Sequence, residues 1–483
     1  MVMAGLVVAS PALAQPAPPD AAALQSGLRA WFEGLLAPAF MLSAPPLTVV
    51  ADGEGFVLSL PVTEKGKADQ AITATLRPLS GGRWSLDNLR VPAAGVITLD
   101  PTAGSASDMT YSVADQSARA VIDLSLASRS SATMELRDVA LAMRVDGQNQ
   151  AQRFERYVIQ GTLIPGADGR VDLVQDATIT GWESSFEIGP SSAAETEIRR
   201  GRIGMRLDGL RTERLAAAFT SIKALIAEVR AGNGPDADAK ALPPGMRAQA
   251  RMLIESFRDI ATRIEGEETL DDFSMKIPGV GEIELEQFHF AMGGEAPDGR
   301  LRAWAEIVLD GLDIADLPQG IRDYIPSRIA LRPVLSGIST EQVFALLLHA
   351  VEEKPDEDRL TKDATAMLTT GGASIGLESM TLEIDKLRIE GNGRLRMLTP
   401  TKAGIEARLT ATGLDATMAD AGKKADLRMI MPVLAMIRGL GRPEGDKIVW
   451  DLAITDDQAL VNGIDMLAAP APSEPPQRKP NKR

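Results

Sequence analysis

Met134-Glu-Leu136-Arg-Asp-Val139-Ala-Leu141 sets its apolar residues in the order apolar-x-apolar-x-x-apolar-x-apolar. Strict alternation would send the two halves to opposite faces of a sheet, because strand side chains repeat every second residue. One inserted residue keeps both halves on a single face, as a β-bulge does, and two strands meeting at a tight bend would do the same. The order recurs in Trp84, Leu86, Leu89 and Val91, in Ile283, Leu285, Phe288 and Phe290, and in Leu382, Ile384, Leu387 and Ile389. Short alternating runs surround it: Val57 to Val62, Ala120-Ile122-Leu124-Leu126, and Tyr157 to Ile164, separated by Gly, Pro, Asp and Ser. One-sided alternation of this kind belongs to half-buried antiparallel sheet. The expected fold class is α+β and β-dominated, with long curved antiparallel sheets carrying β-bulges and packed by amphipathic helices.

A longer period overlies the short one. Met205-Arg-Leu207-Asp-Gly209-Leu210, Ile307-Val-Leu309-Asp-Gly311-Leu312 and Leu409-Thr-Ala-Thr-Gly413-Leu414 each end an alternating strand on a Gly-Leu step, at intervals of 102 residues. The three glycines are expected to supply positive φ at strand exits. The spacing predicts three repeats, 182–266, 267–365 and 366–467, after an N-terminal helix within 15–44 and a β-rich region over 45–181.

Helical stripes punctuate the strands. Asp20 is placed to cap a helix bearing Leu24, Leu28, Phe32 and Leu35. Thr212 is expected to cap a second, with Leu215, Phe219, Ile222, Leu225, Ile226 and Val229 on one side, and Met246 to Ile264 to form a third, ended by Gly266. Ser339-Thr-Glu-Gln342 reads as a capping box before Val343 to Val351. Leu427 to Leu440 is Met-rich, with Pro432 near its first turn or at a kink.

Composition narrows the chemistry. The 483 residues include no Cys and two His, His289 and His349, so thiol nucleophiles, disulfides and Cys-ligated metals are excluded and no metal or cofactor is expected. A net charge of −15 disfavours nucleic acid as a partner. Met1 to Ala14 is an apolar run ending Ala-Leu-Ala, which reads as a signal peptide cleaved after Ala14, although no basic residue precedes Arg29. No later run is long enough to span a bilayer, so no transmembrane helix is expected in the mature chain. The Pro-rich stretch 468–483, ending in Arg478, Lys479, Lys482 and Arg483, is expected to be disordered.

Catalytic constellations are sparse. Gly372-Ala-Ser374-Ile-Gly376 spells a nucleophile elbow, but that device needs a strand before the Ser and a His base beyond it, and both His precede Ser374. Asp271-Asp272 and Asp356-Glu357-Asp358 lack calcium-loop spacing and read as solvated turns. No catalytic residue is assigned.

The apolar leader, the strand-rich first half, Trp84-Ser-Leu-Asp-Asn-Leu-Arg-Val91 and the ending Ala459-Leu-Val-Asn462-Gly463 together resemble the alphaproteobacterial family called domain of unknown function 2125. More distantly the chain resembles AsmA-type envelope proteins. The resemblance implies a periplasmic protein with long curved sheets and, by analogy, a role in envelope lipid homeostasis; it implies no catalytic residue. The expected function is non-enzymatic binding of lipid or another apolar ligand along a sheet-lined groove, with Phe288, Phe290, Leu387 and Ile389 lining it. The alternative is an envelope scaffold or assembly factor with a filled core and protein partners. Lipid or envelope proteins are the expected partners.

Overall fold

A computed structural model describes residues 20–35, 47–61, 71–98, 108–145, 148–189, 192–229, 231, 242–315, 317, 322–352, 356–370, 372–399, 402–423, 431–455 and 458–467. Residues 1–14 and 468–483, read above as leader and tail, lie outside the described residues.

Within them, 22 strands form one antiparallel sheet. β1 (Thr48–Asp52), β2 (Gly55–Pro61), β3 (Ala71–Pro78) and β4 (Arg83–Arg90) pair in chain order, and β4 and β5 (Ala94–Thr98) both lie against β6 (Asp108–Asp123). The meander continues through β7 (Ser130–Val145), β8 (Gln148–Pro165), β9 (Val171–Gly189), β10 (Ser192–Leu210), β11 (Arg263–Ile277) and β12 (Gly281–Glu295). β13 (Arg300–Asp310) and the two-residue β14 (Asp313–Ile314) share the next position against β12. β15 (Arg328–Ser339), β16 (Ser374–Ile384), β17 (Leu387–Thr399) and β18 (Lys402–Thr412) follow. β20 (Lys447–Ile454) pairs with β18 on one side and with β19 (Arg442–Glu444) and β21 (Ala459–Val461) on the other, and β22 (Ile464–Asp465) pairs with β21.

Among the described residues seven helices accompany the sheet: α1 (Ala21–Leu35), α2 (Thr212–Glu228), α3 (Pro244–Phe257), α4 (Thr340–Ala350), α5 (Glu357–Thr370), α6 (Leu414–Ala421) and α7 (Met431–Leu440). The first five touch in series, α1 to α2 to α3 to α4 to α5, as a row along the sheet. Asp20 Oδ1 accepts from Ala23 N at 2.7 Å and starts α1, which buries Leu24 and Leu28 against Leu58, Leu76, Trp84, Leu86 and Ile122. Leu215 of α2 packs on Leu163, Val171, Leu210 and Ile260. Under α6 and α7, Ala411, Leu414, Ile448 and Trp450 form a third core.

Several local expectations need correction. Arg211, not Thr212, is the N-cap of α2, and no side chain caps it. α3 stops at Phe257, because Asp259 takes a left-handed φ of +58°; Ile264 and Gly266 lie in β11. The Ala120–Leu126 run leaves β6 at Asp123, whose carboxylate turns the chain by accepting from the backbone and hydroxyl groups of Ser125 and Ser128. Asp271-Asp272 is no turn: it lies mid-strand in β11, and Asp356 caps α5. Ser339 does cap α4, accepting from Gln342 N. The boundaries drawn at 182 and 267 fall inside β9 and β11, so the segments they separate share one sheet.

Candidate functional site: a creased apolar sheet face

From β6 to β12 every strand places two successive side chains on the same side at one point along its length. Val113 pairs with Val139 and Asp115 with Arg137; Val139 pairs with Phe154, Phe154 with Trp182, Trp182 with Ile198, Ile198 with Phe273, and Phe273 with Leu285. The next pairs in register are Arg137–Arg156, Arg156–Thr180, Thr180–Arg200, Arg200–Asp271 and Asp271–Gln287. Between the two rows each strand carries one residue outside the ladder: Ala114, Asp138, Glu155, Gly181, Arg199, Asp272 and Glu286. Three of these, on alternate strands, have left-handed backbone: Asp138 (φ +48°), Gly181 (+60°) and Asp272 (+52°). Gly311 (+66°) ends β13 beside Glu286 on the same line.

The inserted residues keep the apolar set on one face of the six strands β7 to β12, with Val113 of β6 beside them. Beside the line that face carries Leu136 and Val139, Phe154 and Tyr157, Ile179 and Trp182, Ile198 and Gly201, Leu270 and Phe273, and Leu285 and Phe288. None of these is exposed, and Val139 and Ile198 are buried, whereas Asp138, Glu155, Arg199, Asp272 and Glu286 behind them are exposed. A strand with an extra residue on one side has its longer arc on that side and bends towards the other. The line is therefore a crease, and the sheet bends towards its apolar face.

Away from the crease the same face is uncovered. Phe186 and Ile188 at one end of β9 are 36% and 43% exposed, and Ile264 and Met292 at the other end of β11 and β12 are 47% and 54% exposed. Phe154 and Trp182 lie with ring centres 6.4 Å apart, and the buried Trp182 Nε1 has no hydrogen-bond partner among the described residues. The opposite face is charged. Arg156 and then Arg137 hold the Glu135 carboxyl down at about 2, Arg199 meets Asp272 at 2.9 Å, and Gln287 donates to Asp271 at 2.8 Å.

The predicted lining residues all lie on the apolar face. Phe288 pairs with Leu270 and Leu309, and Phe290 with Glu268 and Ile307, both half-buried. Leu387 and Ile389 lie four strands further along, packed against the Ala411–Trp450 core. The face thus joins all four, but only the phenylalanines border its open stretch. Gly209, Gly311 and Gly413 share a positive φ, of +61°, +66° and +76°; α2 follows the first and α6 the third, while Gly311 leads into β14.

Ser374 opens β16 and exchanges a 3.0 Å hydrogen bond with Ser336 Oγ, so its hydroxyl faces another hydroxyl. These serines line a cleft of about 590 Å³ on the polar face, with Arg302, Glu378, Arg394, Glu406 and Arg408. Arg302 bonds Glu378 at 2.7 Å, and Arg408 bonds Asp451 and Glu444, so most of that charge is answered within the protein. A second cleft, about 720 Å³, is lined by Tyr111, Leu141, Gln152, Arg153, Glu183 and Thr196 at the ends of β6 to β10. Neither of these two clefts is lined by Phe288, Phe290, Leu387 or Ile389. His289 Nδ1 lies 3.0 Å from Thr269 Oγ1, and His349 is buried with Nδ1 3.8 Å from Glu352. Among the described residues no group of three or more acidic or His side chains is placed to hold a metal, and no helix is long and apolar enough to cross a membrane.

Sequence reasoning missed Trp182, Phe154, Ile198 and Phe273. A signal was present, since Phe154, Tyr157, Ile179, Trp182, Ile198, Gly201, Leu270 and Phe273 repeat the three-residue step of Leu136 and Val139. No family model, curated protein or solved structure matches the chain.

Proposed function

We propose that this chain binds lipid, or another ligand with a long apolar body, along the creased face of its sheet, without catalysing a reaction. The observation that carries the reading is the set of exposed apolar side chains on that face to either side of the crease, Phe186 and Ile188 on one side and Ile264 and Met292 on the other. Burying apolar surface is worth about 25 cal/mol per Å². A face many strands wide is a strong site for a flexible hydrocarbon chain, and contiguous exposed patches of that kind mark ligand or partner surfaces. The Phe154 and Trp182 rings, 6.4 Å apart beside the crease, add aromatic surface against which an acyl chain can lie. Export to the periplasm, argued from Met1–Ala14, places such a face where envelope lipids are handled.

The test is lipid extraction and mass spectrometry of the purified full-length chain, beside Phe186→Asp and Phe288→Asp. Co-purifying lipid should be present in the parent and absent from both variants, with circular dichroism and Tm nearly unchanged. Phe186 is over a third exposed, so its substitution leaves the fold intact in either case. Unfolding of Phe288→Asp, or native parent protein free of lipid, decides instead for a scaffold with a filled core.

A further inference from the structure

We propose that the end of the sheet around α7 docks on an anionic membrane surface. α7 reads Met431-Pro-Val-Leu-Ala-Met-Ile-Arg-Gly-Leu440 and turns Val433, Met436 and Ile437 outwards, at 52%, 60% and 43% exposure. Residues at i, i+3 and i+4 make one stripe, so the exposed apolar surface is a helix face and not scattered side chains. Its inner side is held: Leu440 packs on the Ala411–Trp450 core, Trp450 Nε1 donates to Ile437 O at 2.9 Å, and Arg438 pairs with Asp415. Asn462 Nδ2 donates to Leu440 O at 2.8 Å and ties the helix end to the β21–β22 hairpin. Ile464 of β22, and Met466 and Leu467 just beyond it, are 56%, 46% and 63% exposed.

The sequence that follows Leu467 argues for the occupant. Within 468–483 stand Arg478, Lys479, Lys482 and Arg483 against one acid, Glu474, in a chain whose net charge is −15. Sixteen residues span at most about 58 Å, and they follow directly on Leu467. Exposed apolar side chains on a short helix beside a basic run match the two attractions of an anionic bilayer, shallow insertion and headgroup charge. α7 packs over β18 and β20, strands beyond the open stretch that Phe288 and Phe290 border, so this docking is separate from what occupies the creased face.

Sedimentation of the full chain with vesicles tests it. The chain should bind vesicles of equal phosphatidylglycerol and phosphatidylcholine, bind phosphatidylcholine alone much less, and release as salt rises. Arg478→Gln/Lys479→Gln/Lys482→Gln/Arg483→Gln should weaken binding about tenfold or more, and Met436→Asp/Ile437→Asp likewise, with unchanged circular dichroism. Lipid extracted from the Met436→Asp/Ile437→Asp protein should match the parent, which separates this docking from the creased face. No binding to the anionic vesicles, or binding that survives both sets of substitutions, overturns the proposal. So does a concentration-dependent dimer that Met436→Asp/Ile437→Asp dissolves, because a second copy would then cover the patch.

Discussion

Asp138 in β7 and Gly181 in β9 lie on one line across the sheet, two strands apart, both with left-handed backbone. Glu155 of β8 stands between them, and its side chain fills the space that a Cβ on Gly181 would need. Asp272 in β11 continues the alternation, with Arg199 of β10 between and paired to it at 2.9 Å. Left-handed backbone costs an ordinary L-residue about 1–2 kcal/mol. Asp and Gly bear it best, which is why short residues stand at these three positions. The crease is thus written into individual residues, and their substitution should read it out.

Gly181→Ala should lower stability by about 1–3 kcal/mol, since the new Cβ meets both an unfavourable φ and the Glu155 side chain. Asp138→Gly should change it by less than about 1 kcal/mol, because glycine adopts that backbone freely and loses only chain entropy. Urea melts of the two variants measure the difference. Equal effects would mean that the crease does not depend on backbone handedness.

The same spelling of apolar residues produced two structures, and that is where legibility ended. In Met134–Leu141 the chain runs straight on through Asp138, whereas in Leu382–Ile389 it reverses at Asp385, also left-handed at +48°. There Leu382 pairs with Ile389 and Ile384 with Leu387 across a hairpin. Both solutions keep four apolar residues on one face, so the pattern fixes the face without choosing between them. The choice lies in long-range pairing: β7 is held between β6 and β8, each with a matching inserted residue. Asp271-Asp272 misled for the same reason, because two adjacent acids resemble a turn until neighbouring strands are seen to carry the same step. Period alone places Phe288, Phe290, Leu387 and Ile389 on one common face, but which part of it stays uncovered depends on where the helices lie.

Asp123 is a buried carboxylate whose hydrogen bonds make part of the fold depend on pH. Burial pushes its carboxyl up, yet the hydrogen bonds from Ser125 and Ser128 together outweigh that and hold it below its ordinary 3.8. A depressed folded value means its stabilisation is complete above the ordinary carboxylate range and is lost as pH falls through the folded value. Asp123→Asn should cost about 2 kcal/mol at neutral pH, because the amide nitrogen cannot accept from Ser128. The variant should also lose less stability than the parent on acidification, which melts at pH 7 and pH 3 would compare. Glu135→Gln should shift Tm less, since its arginine partners are half-exposed and solvent screens them.

Asn462 should prove a stability centre out of proportion to its size. Its amide donates to Leu440 O and Val449 O, its carbonyl accepts from Asp451 N, and its backbone is left-handed at +50°. Asn462→Ala removes all three bonds and strains the turn, for an expected loss of about 2–4 kcal/mol. Hydrogen exchange should show the loss concentrated in α7 and β20. Uniform loosening of the whole sheet would contradict the local tie.

Trp182 offers the sharpest reading of the creased face. Its buried N–H has no partner among the described residues, so Trp182→Phe removes a donor without breaking a bond. Stability should therefore stay within about 0.5 kcal/mol of the parent, where loss of a satisfied donor would cost about 1–3 kcal/mol in the partner left behind. If an acyl chain lies along the crease, brominated lipid taken up by the protein should quench indole emission from Trp182. Of the other four tryptophans, Trp84 and Trp450 are enclosed in helix-covered cores, Trp31 packs against the first two cores, and Trp304 lies under Arg332 on the opposite face. Quenching should consequently be strong in the parent and fall sharply in Trp182→Phe. Equal quenching in both would place the lipid elsewhere, and its absence in both would leave the apolar face to a protein partner.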